Sequence, residues 1–377
     1  MQANKLYYKS PYTKEFTAHV ISCNKSGGAY EIELENTAFY PEGGGQPSDT
    51  GHIGPCAVTH VYEKNGSVIH IGDKSLDASS QYPASINWEV RFDHMQHHSA
   101  EHLVSGIIHK LHGADNVGFN IGEQYVTIDF NKELNAKDIV HIENLANEAI
   151  HKNLPVKVEY FDTAPAFSYR SKKELSGTVR IVSIDGYDIC ACAGTQLAAT
   201  GEIGIVKIIS AQKYKGGSRL YLLCGMRALK DYRQASDNIS AIGALLSCKP
   251  GETAEYTKKL HEEKESLKFG LVKARYELID IKTEAMAAAG KILIFEAGLS
   301  NEEMKKYTAN LIEKSGLTAI FSGCDEEGYR YMITGSKIDL PAFIKDLNAA
   351  LKGKGGGKGS AGGHVAATKA EIEKYFN

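Results

Sequence analysis

MQHHSAEHLVSGIIHKLH, residues 95–112, is the stretch from which the rest of the chain can be organised. It reads as one helix, roughly Met95 to His112. On such a helix His98 and His102, four positions apart, share a face with their Cβ atoms about 5–6 Å apart, a spacing suited to one metal ion. Spacing alone leaves a chance pairing open, because His94, His97, His109 and His112 crowd the same stretch.

On the N-terminal side, residues 1–88 read as short alternating strands, FTAHVISC, GAYEIELE, CAVTHVYE and SVIHIG, separated by Gly, Asn and Asp. This is the pattern of a small β-barrel or compact β-domain. Residues 89–225 begin with the histidine helix. Strands are expected at Tyr125–Phe130, Val156–Tyr160, Val179–Ile184 and Ile203–Ala211, with a helix near Ala136–Lys152. Residues 226–290 predict a helical hairpin broken at Lys249-Pro250-Gly251. In its second helix Leu260, Leu267, Ala274 and Ile281 repeat every seven residues, with Lys264, Leu271, Leu278 and Ala285 interleaved. That pattern points to a coiled coil or a dimer seam, an amphipathic helix on a globular core being the alternative. Residues 291–377 alternate strand and helix and end in GKGGGKGSAGG, a low-complexity run that reads as a loop. The fold class is therefore α+β, in four parts: β-barrel, α+β domain, helical hairpin and a C-terminal α/β domain.

With 377 residues, 42% hydrophobic and 24% charged, the composition is that of an ordinary globular protein of more than one domain. A net charge of -3 carries no overall signature of nucleic-acid binding, so such a partner would need local basic patches. No apolar run approaches the ~18–20 residues of a membrane helix, and MQANKLYYKSPYTKEF lacks the apolar core of a secretion signal. Seven cysteines, an odd number, suggest reduced thiols and a cytoplasmic setting.

Two further stretches bear on chemistry. YDICACAGTQLAATGEIG places Cys190 and Cys192 two apart, on one face if extended. His98, His102 and Cys192 would give Zn²⁺ three protein donors and an open position, although two small cysteines packed in a core fit the spacing equally well. TAFYPEGGGQPSDTG contains three glycines, Gly43, Gly44 and Gly45, which permit positive φ and close backbone approach. Thr37 and Gln46 flank this turn and are candidates, with the glycines, for binding substrate. The turn lacks the Gly-Lys-Ser/Thr ending of a P-loop, so no nucleoside triphosphate site is expected.

Taken together, FYPEGGGQPSDTG (residues 39–51), MQHHSAEHLVSG (95–106), CACAGTQ (190–196) and TGEIG (200–204) resemble the AlaX family, free-standing relatives of the editing domain of alanyl-tRNA synthetase. The tail, with GGGKGSAGGHVAA at 355–367, resembles the synthetase's C-terminal DHHA1 domain, as in the long AlaX form. The resemblance implies a hydrolase that removes serine or glycine wrongly attached to tRNA(Ala), with zinc held by an HxxxH pair, here His98 and His102, and a CxxxH pair. The second pair falls on Cys192 and Gln196, so glutamine stands where the pattern has histidine. An amide is a poor Zn²⁺ ligand beside imidazole and thiolate.

The implied partner is tRNA(Ala), for which Lys352, Lys354 and Lys358 are candidate phosphate contacts. A homodimer through the helical segment or the C-terminal domain is the expected assembly. The alternative reading is a non-catalytic tRNA-binding module whose metal site has decayed at Gln196. A phosphodiesterase of the DHH type is disfavoured, since Asp93-His94 is followed by Met95 with no aspartate cluster around it.

Overall fold

Along Ser67–Gly72 every second residue is buried, Val68, His70 and Gly72, the period a strand shows when one face looks inward. Ala29–Leu34 does the same at Ile32 and Leu34. In this computed structural model, which describes residues 4–171, 177–336 and 338–377, six strands close on themselves. Their order is Glu15–Ser26, Ala29–Leu34, Ser67–Gly72, Cys56–Lys64, Gly51–Ile53 and Gln81–Ile86, antiparallel throughout. Val20, Ile32, Leu34, Phe39, Ile53, Val61 and Val68 fill the interior. It also holds the imidazole of His70, whose Nδ1 faces the Ile32 carbonyl at 3.0 Å and whose Nε2 faces Thr37 Oγ1 at 2.8 Å. Burial pulls the pKa of His70 down to about 4.

Asn87 follows the last barrel strand, and its side chain accepts the Val90 amide at 3.4 Å, so the histidine helix spans Trp88–His112 and starts earlier than Met95. Gly113 closes the helix with φ 59° and gives its N–H to the His109 carbonyl at 2.8 Å. Every side chain from His94 to Ile108 is buried, so this helix crosses the interior rather than the surface. Leu103, Val104, Ile107 and Ile108 share a core with Ile128, Leu220 and Leu222 of an antiparallel sheet and with Ile142 and Ala146 of the helix Ala136–His151. The order of that sheet is Val206–Tyr214, Gly217–Cys224, Val126–Phe130 and Asn116–Ile121. The strand expected from Ile203 begins at Val206, because Thr200–Ile203 forms a 3₁₀ turn that ends at Gly204 with φ 81°. A third sheet joins Val156–Phe161, Val179–Ile184 and Asp188–Ala191, and the last of these leads directly into Cys192.

Residues 1–238 and 239–377 form two compact units, the division falling within the helix Gly225–Leu246. In the second unit a five-stranded sheet runs Ala289–Phe295, Ser315–Cys324, Gly328–Gly335, Ala361–Val365 and Gly353–Gly356, parallel only at the first pair. Strand alternation splits its side chains between two cores. Ala319, Phe321 and Tyr331 pack with Ile344, Leu347 and Phe376, whereas Ile320 and Met332 pack with Met304, Tyr307 and Ile279. The glycine-rich tail is thus an edge hairpin and not a bare loop. Tyr331 lies across it so closely that a Cβ on Gly355 or Gly363 would meet its hydroxyl at 2.4 or 2.5 Å. In the helix Thr253–Glu284 only Ile279 and Thr283 are buried; Leu260, Leu267, Leu271 and Ile281 of the heptad pattern are exposed. Among the described residues no helix is long and apolar enough to cross a membrane.

Candidate metal centre

His98 and His102 lie one turn apart on the buried histidine helix with their rings stacked, centroids 5.5 Å apart. Cys192, just beyond the strand Asp188–Ala191, brings its Sγ to 3.3 Å from His98 Nε2. The donor atoms of His98, His102 and Cys192 all fall within 4.8 Å of one another. The approach is possible because residue 194 is glycine: a Cβ there would sit 2.1 Å from His98 Cε1. The Gly194 amide also donates to Cys192 Sγ at 3.3 Å.

Each imidazole is anchored through Nδ1, by chemically different partners. His98 Nδ1 meets Gln46 Oε1 at 2.8 Å, while Gln46 Nε2 donates to Thr195 Oγ1 at 2.8 Å. An amide oxygen only accepts, so Nδ1 is the donor in this contact and Nε2 is the end that faces Cys192. His102 Nδ1 meets Asp188 Oδ2 at 2.8 Å, and Arg170 grips Asp188 with two bonds of 2.7 and 2.9 Å. His102 Nε2 is left buried without a hydrogen-bond partner. Burial alone would raise the Cys192 thiol, but His98 and His102 outweigh it and hold the thiol well below its ordinary value. Burial likewise opposes the charge on His102, yet Cys192 and Asp188 carry its pKa well above the usual imidazole value. Cys190, with His102 and Asp188, forms a second close cluster. Burial pushes the Cys190 thiol up to about 11, so it stays protonated at neutral pH.

The glycine turn delivers Gln46. Gly43 and Gln46 bridge each other, Gly44 and Gly45 have φ of 60° and 86°, and a Cβ on Gly45 would strike the Phe119 carbonyl at 2.3 Å. The Gly45 carbonyl accepts the Ile121 amide at 2.8 Å, which seats the turn against the strand Asn116–Ile121. Beyond the turn, Asp49 forms a fully buried ion pair with Arg91 and accepts the Tyr40 amide at 2.6 Å, fixing the segment to the start of the histidine helix.

The donors open into a cavity of about 650 Å³, walled by Tyr40, Glu101, Phe119, Tyr169, Arg170 and Tyr187 among others. Of the turn residues, Gly44 reaches this wall. Gly43 and Gly45 shape the turn, and Gln46 sits beneath His98. Thr37 does not line the cavity, because its hydroxyl is engaged with His70 inside the barrel. Gln196 is buried, with Oε1 accepting from Ser99 at 2.8 Å and Nε2 directed at Cys192 Sγ at 3.7 Å. Lys352, Lys354 and Lys358 are exposed around the edge hairpin of the second unit.

Residues 179–221, the span that carries Cys190, Cys192 and Gln196, match the family model described as the threonyl and alanyl tRNA synthetase second additional domain. The alanyl-tRNA editing protein AlaX-L of Pyrococcus horikoshii is 28% identical, over 98% of this chain and 96% of its own length. The alanyl-tRNA editing protein Aarsd1 of Mus musculus is 27% identical, over 94% of this chain and 92% of its own. Over nearly its whole length, then, this chain is similar to alanyl-tRNA editing proteins, AlaX-L among them. An alanine–tRNA ligase of Ignicoccus hospitalis is also 28% identical, but the chain spans only 42% of that ligase.

Within this cavity stand groups that reading the sequence did not single out. Asp188 lies two residues before Cys190 and its type could have drawn notice, whereas Arg170 reaches the site only through the pairing of Arg170 with Cys190. Glu101 precedes His102 and places a buried carboxylate in the wall, accepting from Ser105 Oγ at 2.7 Å and from the Asn116 amide. His97, adjacent to His98, is unavailable for proton transfer: its Nδ1 faces the Asp93 carbonyl at 2.8 Å and its Nε2 accepts the Cys224 amide at 3.1 Å.

Proposed function

We propose that this protein hydrolyses the ester linking a wrong amino acid to tRNA(Ala), using one Zn²⁺ held by His98, His102 and Cys192. The observation that carries the reading is the unpartnered, buried Nε2 of His102, on a residue whose donor atom lies within 4.8 Å of those of His98 and Cys192. A buried ring nitrogen without a partner is costly, and a cation removes the cost. The opposed shifts of Cys192 and His102 support the same fit, since a thiolate close to two imidazoles suits a bound cation. The similarity to relatives named alanyl-tRNA editing proteins over nearly the whole chain favours the substrate class.

When bound, zinc supplies Lewis acidity, which lowers the pKa of water or polarises the ester carbonyl. The chain's own residues do the positioning. Gln46 and the Asp188–Arg170 pair hold both imidazoles in the tautomer that leaves Nε2 free. Tyr40, Phe119 and the glycine turn wall the reacting ester off from bulk water. A cavity of about 650 Å³ accommodates the terminal nucleoside with its amino acid. Serine is removed faster than alanine where polar groups in the wall bond its hydroxyl, because alanine leaves those groups unpaired; glycine is the second substrate. Residues 291–377 act as a DHHA1-like tRNA-binding domain in which Lys352, Lys354 and Lys358 contact phosphates, an attraction that weakens with salt. The exposed leucines of Thr253–Glu284 suit pairing with a second copy, and the free thiols suit the cytoplasm.

The test is zinc content measured together with deacylation of Ser-tRNA(Ala) and Ala-tRNA(Ala). About one zinc per chain, faster release of serine, and loss of both zinc and activity in His102→Ala are expected. Activity undiminished after complete zinc removal, or in His102→Ala, contradicts the proposal.

A further inference from the structure

Gln196 stands four residues after Cys192, the position from which a second side chain of this loop could reach the ion. We infer that Gln196 is not a ligand: it is a positioning residue, locked by Ser99 so that its amide N–H supports the Cys192 sulfur and a coordination position stays open. The inference rests on the metal reading above and specifies how the site is completed.

The orientation follows from a chain of donors and acceptors. Ser99, beside His98 on the helix, accepts the Leu197 amide at 3.0 Å through its hydroxyl oxygen. Its own hydrogen goes to Gln196 Oε1 at 2.8 Å. The amide oxygen, the one atom through which glutamine could bind a metal, is thereby occupied on the side of the helix backbone. The other end of the amide, Nε2, lies 3.7 Å from Cys192 Sγ. A thiolate accepts hydrogen bonds and gives none, so the nitrogen is the end that belongs there. Gln196 is only 2% exposed, so bulk solvent does not reach either end.

With the Gly194 amide at 3.3 Å, the sulfur then has two N–H donors from its own loop. Two such bonds hold the thiolate in one rotamer and moderate its charge, as outer hydrogen bonds do for metal-ligating groups. The ion retains three protein donors, the number that leaves room for water or substrate. Histidine at this position would supply a fourth donor and close that room.

Gln196→Met, of similar volume but without an N–H, and Gln196→Asn, whose amide is one methylene short of the sulfur, separate the two roles. Both are compared with the unaltered protein for Zn²⁺ affinity by chelator competition and for the absorption of the Co²⁺-substituted protein, after circular dichroism shows them folded. Expected are a loss of affinity of about 10-fold, unchanged cobalt ligand-field bands, and a shifted thiolate-to-cobalt charge-transfer band. Unaltered affinity and charge-transfer band overturn the inference, as do ligand-field changes typical of a lost donor. Failure of the unaltered protein itself to bind either metal would instead remove the underlying metal reading.

Discussion

The floor of the cavity and the interior of the barrel treat histidine in opposite ways. His70, inside the barrel, and His97, on the far side of the histidine helix, each have both ring nitrogens engaged by the protein. His98 and His102 are each anchored to an oxygen at Nδ1; Nε2 of His98 meets Cys192 Sγ at 3.3 Å and Nε2 of His102 is left without a partner. Burial is the same in all four, so it does not identify a ligand. An Nε2 that faces the Cys192 sulfur does, which sets apart His94, whose unpartnered Nδ1 belongs to no donor cluster among the described residues. The same comparison divides the cysteines: Cys192 faces two imidazoles and an amide, whereas Cys190 is a half-buried thiol with its pKa raised.

The most direct way to break this comparison is to exchange sulfur for oxygen at each cysteine. Cys192→Ser is expected to weaken zinc binding by more than about 100-fold, since loss of a ligand exceeds the usual cost of losing its outer partner. Cys190→Ser is expected to stay within a few-fold of the unaltered protein. Chelator competition reads both; a large loss for Cys190→Ser with little for Cys192→Ser would mean that the His102, Asp188 and Cys190 cluster is the one that binds, and equal losses would erase the division between the two thiols.

A finer contrast separates the two anchors. Asp188→Asn keeps the shape but removes the charge, and a single amide oxygen must then serve either Arg170 or His102. Gln46→Leu removes a neutral partner from His98. Losses of zinc affinity of about 100-fold for Asp188→Asn and about 10-fold for Gln46→Leu are expected, the two ends of the range for such outer partners. A reversed order would show that charge does not set the difference.

The sequence shows the elements of this site better than their joining. The i, i+4 spacing picks out His98 and His102, but His94 and His98 have the same spacing. Only the fold reveals that His94 is buried with its pKa pulled down to about 4 and stands outside the donor cluster. Gln46 was conspicuous for flanking a glycine turn, yet its place beneath His98 depends on Arg91 and Asp49 drawing the turn onto the helix, a contact between residues 42 positions apart. Arg170 carried no local signal. The helix Ala136–His151 and its Asn135 cap follow from nearby residues, and the sequence places that helix within a residue of its observed end. The strands Asn116–Ile121 and Gly217–Cys224 went unseen, since each is defined by partners far along the chain. In the tail, composition suggested a loop, but the ring of Tyr331 makes glycine at 355 and 363 a packing requirement.

The smallest expected effect concerns the barrel alone and tests whether a fully engaged imidazole behaves as argued. His70 is neutral when folded, with its pKa lowered to about 4 by burial, whereas in the unfolded chain it returns to about 6.5. Between those values the unfolded state binds the extra proton, so stability is intact above about pH 6.5 and falls as the pH drops toward 4. By pH 5 the loss from this group is about 2 kcal/mol, obtained by linkage from the two pKa values. His70→Gln retains a hydrogen-bonding side chain that does not titrate, so its stability should change less between pH 7 and 5. Urea unfolding across that range, followed through signals of the barrel, measures the difference between the two slopes. Parallel slopes would mean that protonation of His70 is absorbed within the folded barrel, through rotation of the Thr37 hydroxyl or entry of water. The division between engaged and leftover nitrogens would then no longer follow from burial and hydrogen bonding alone.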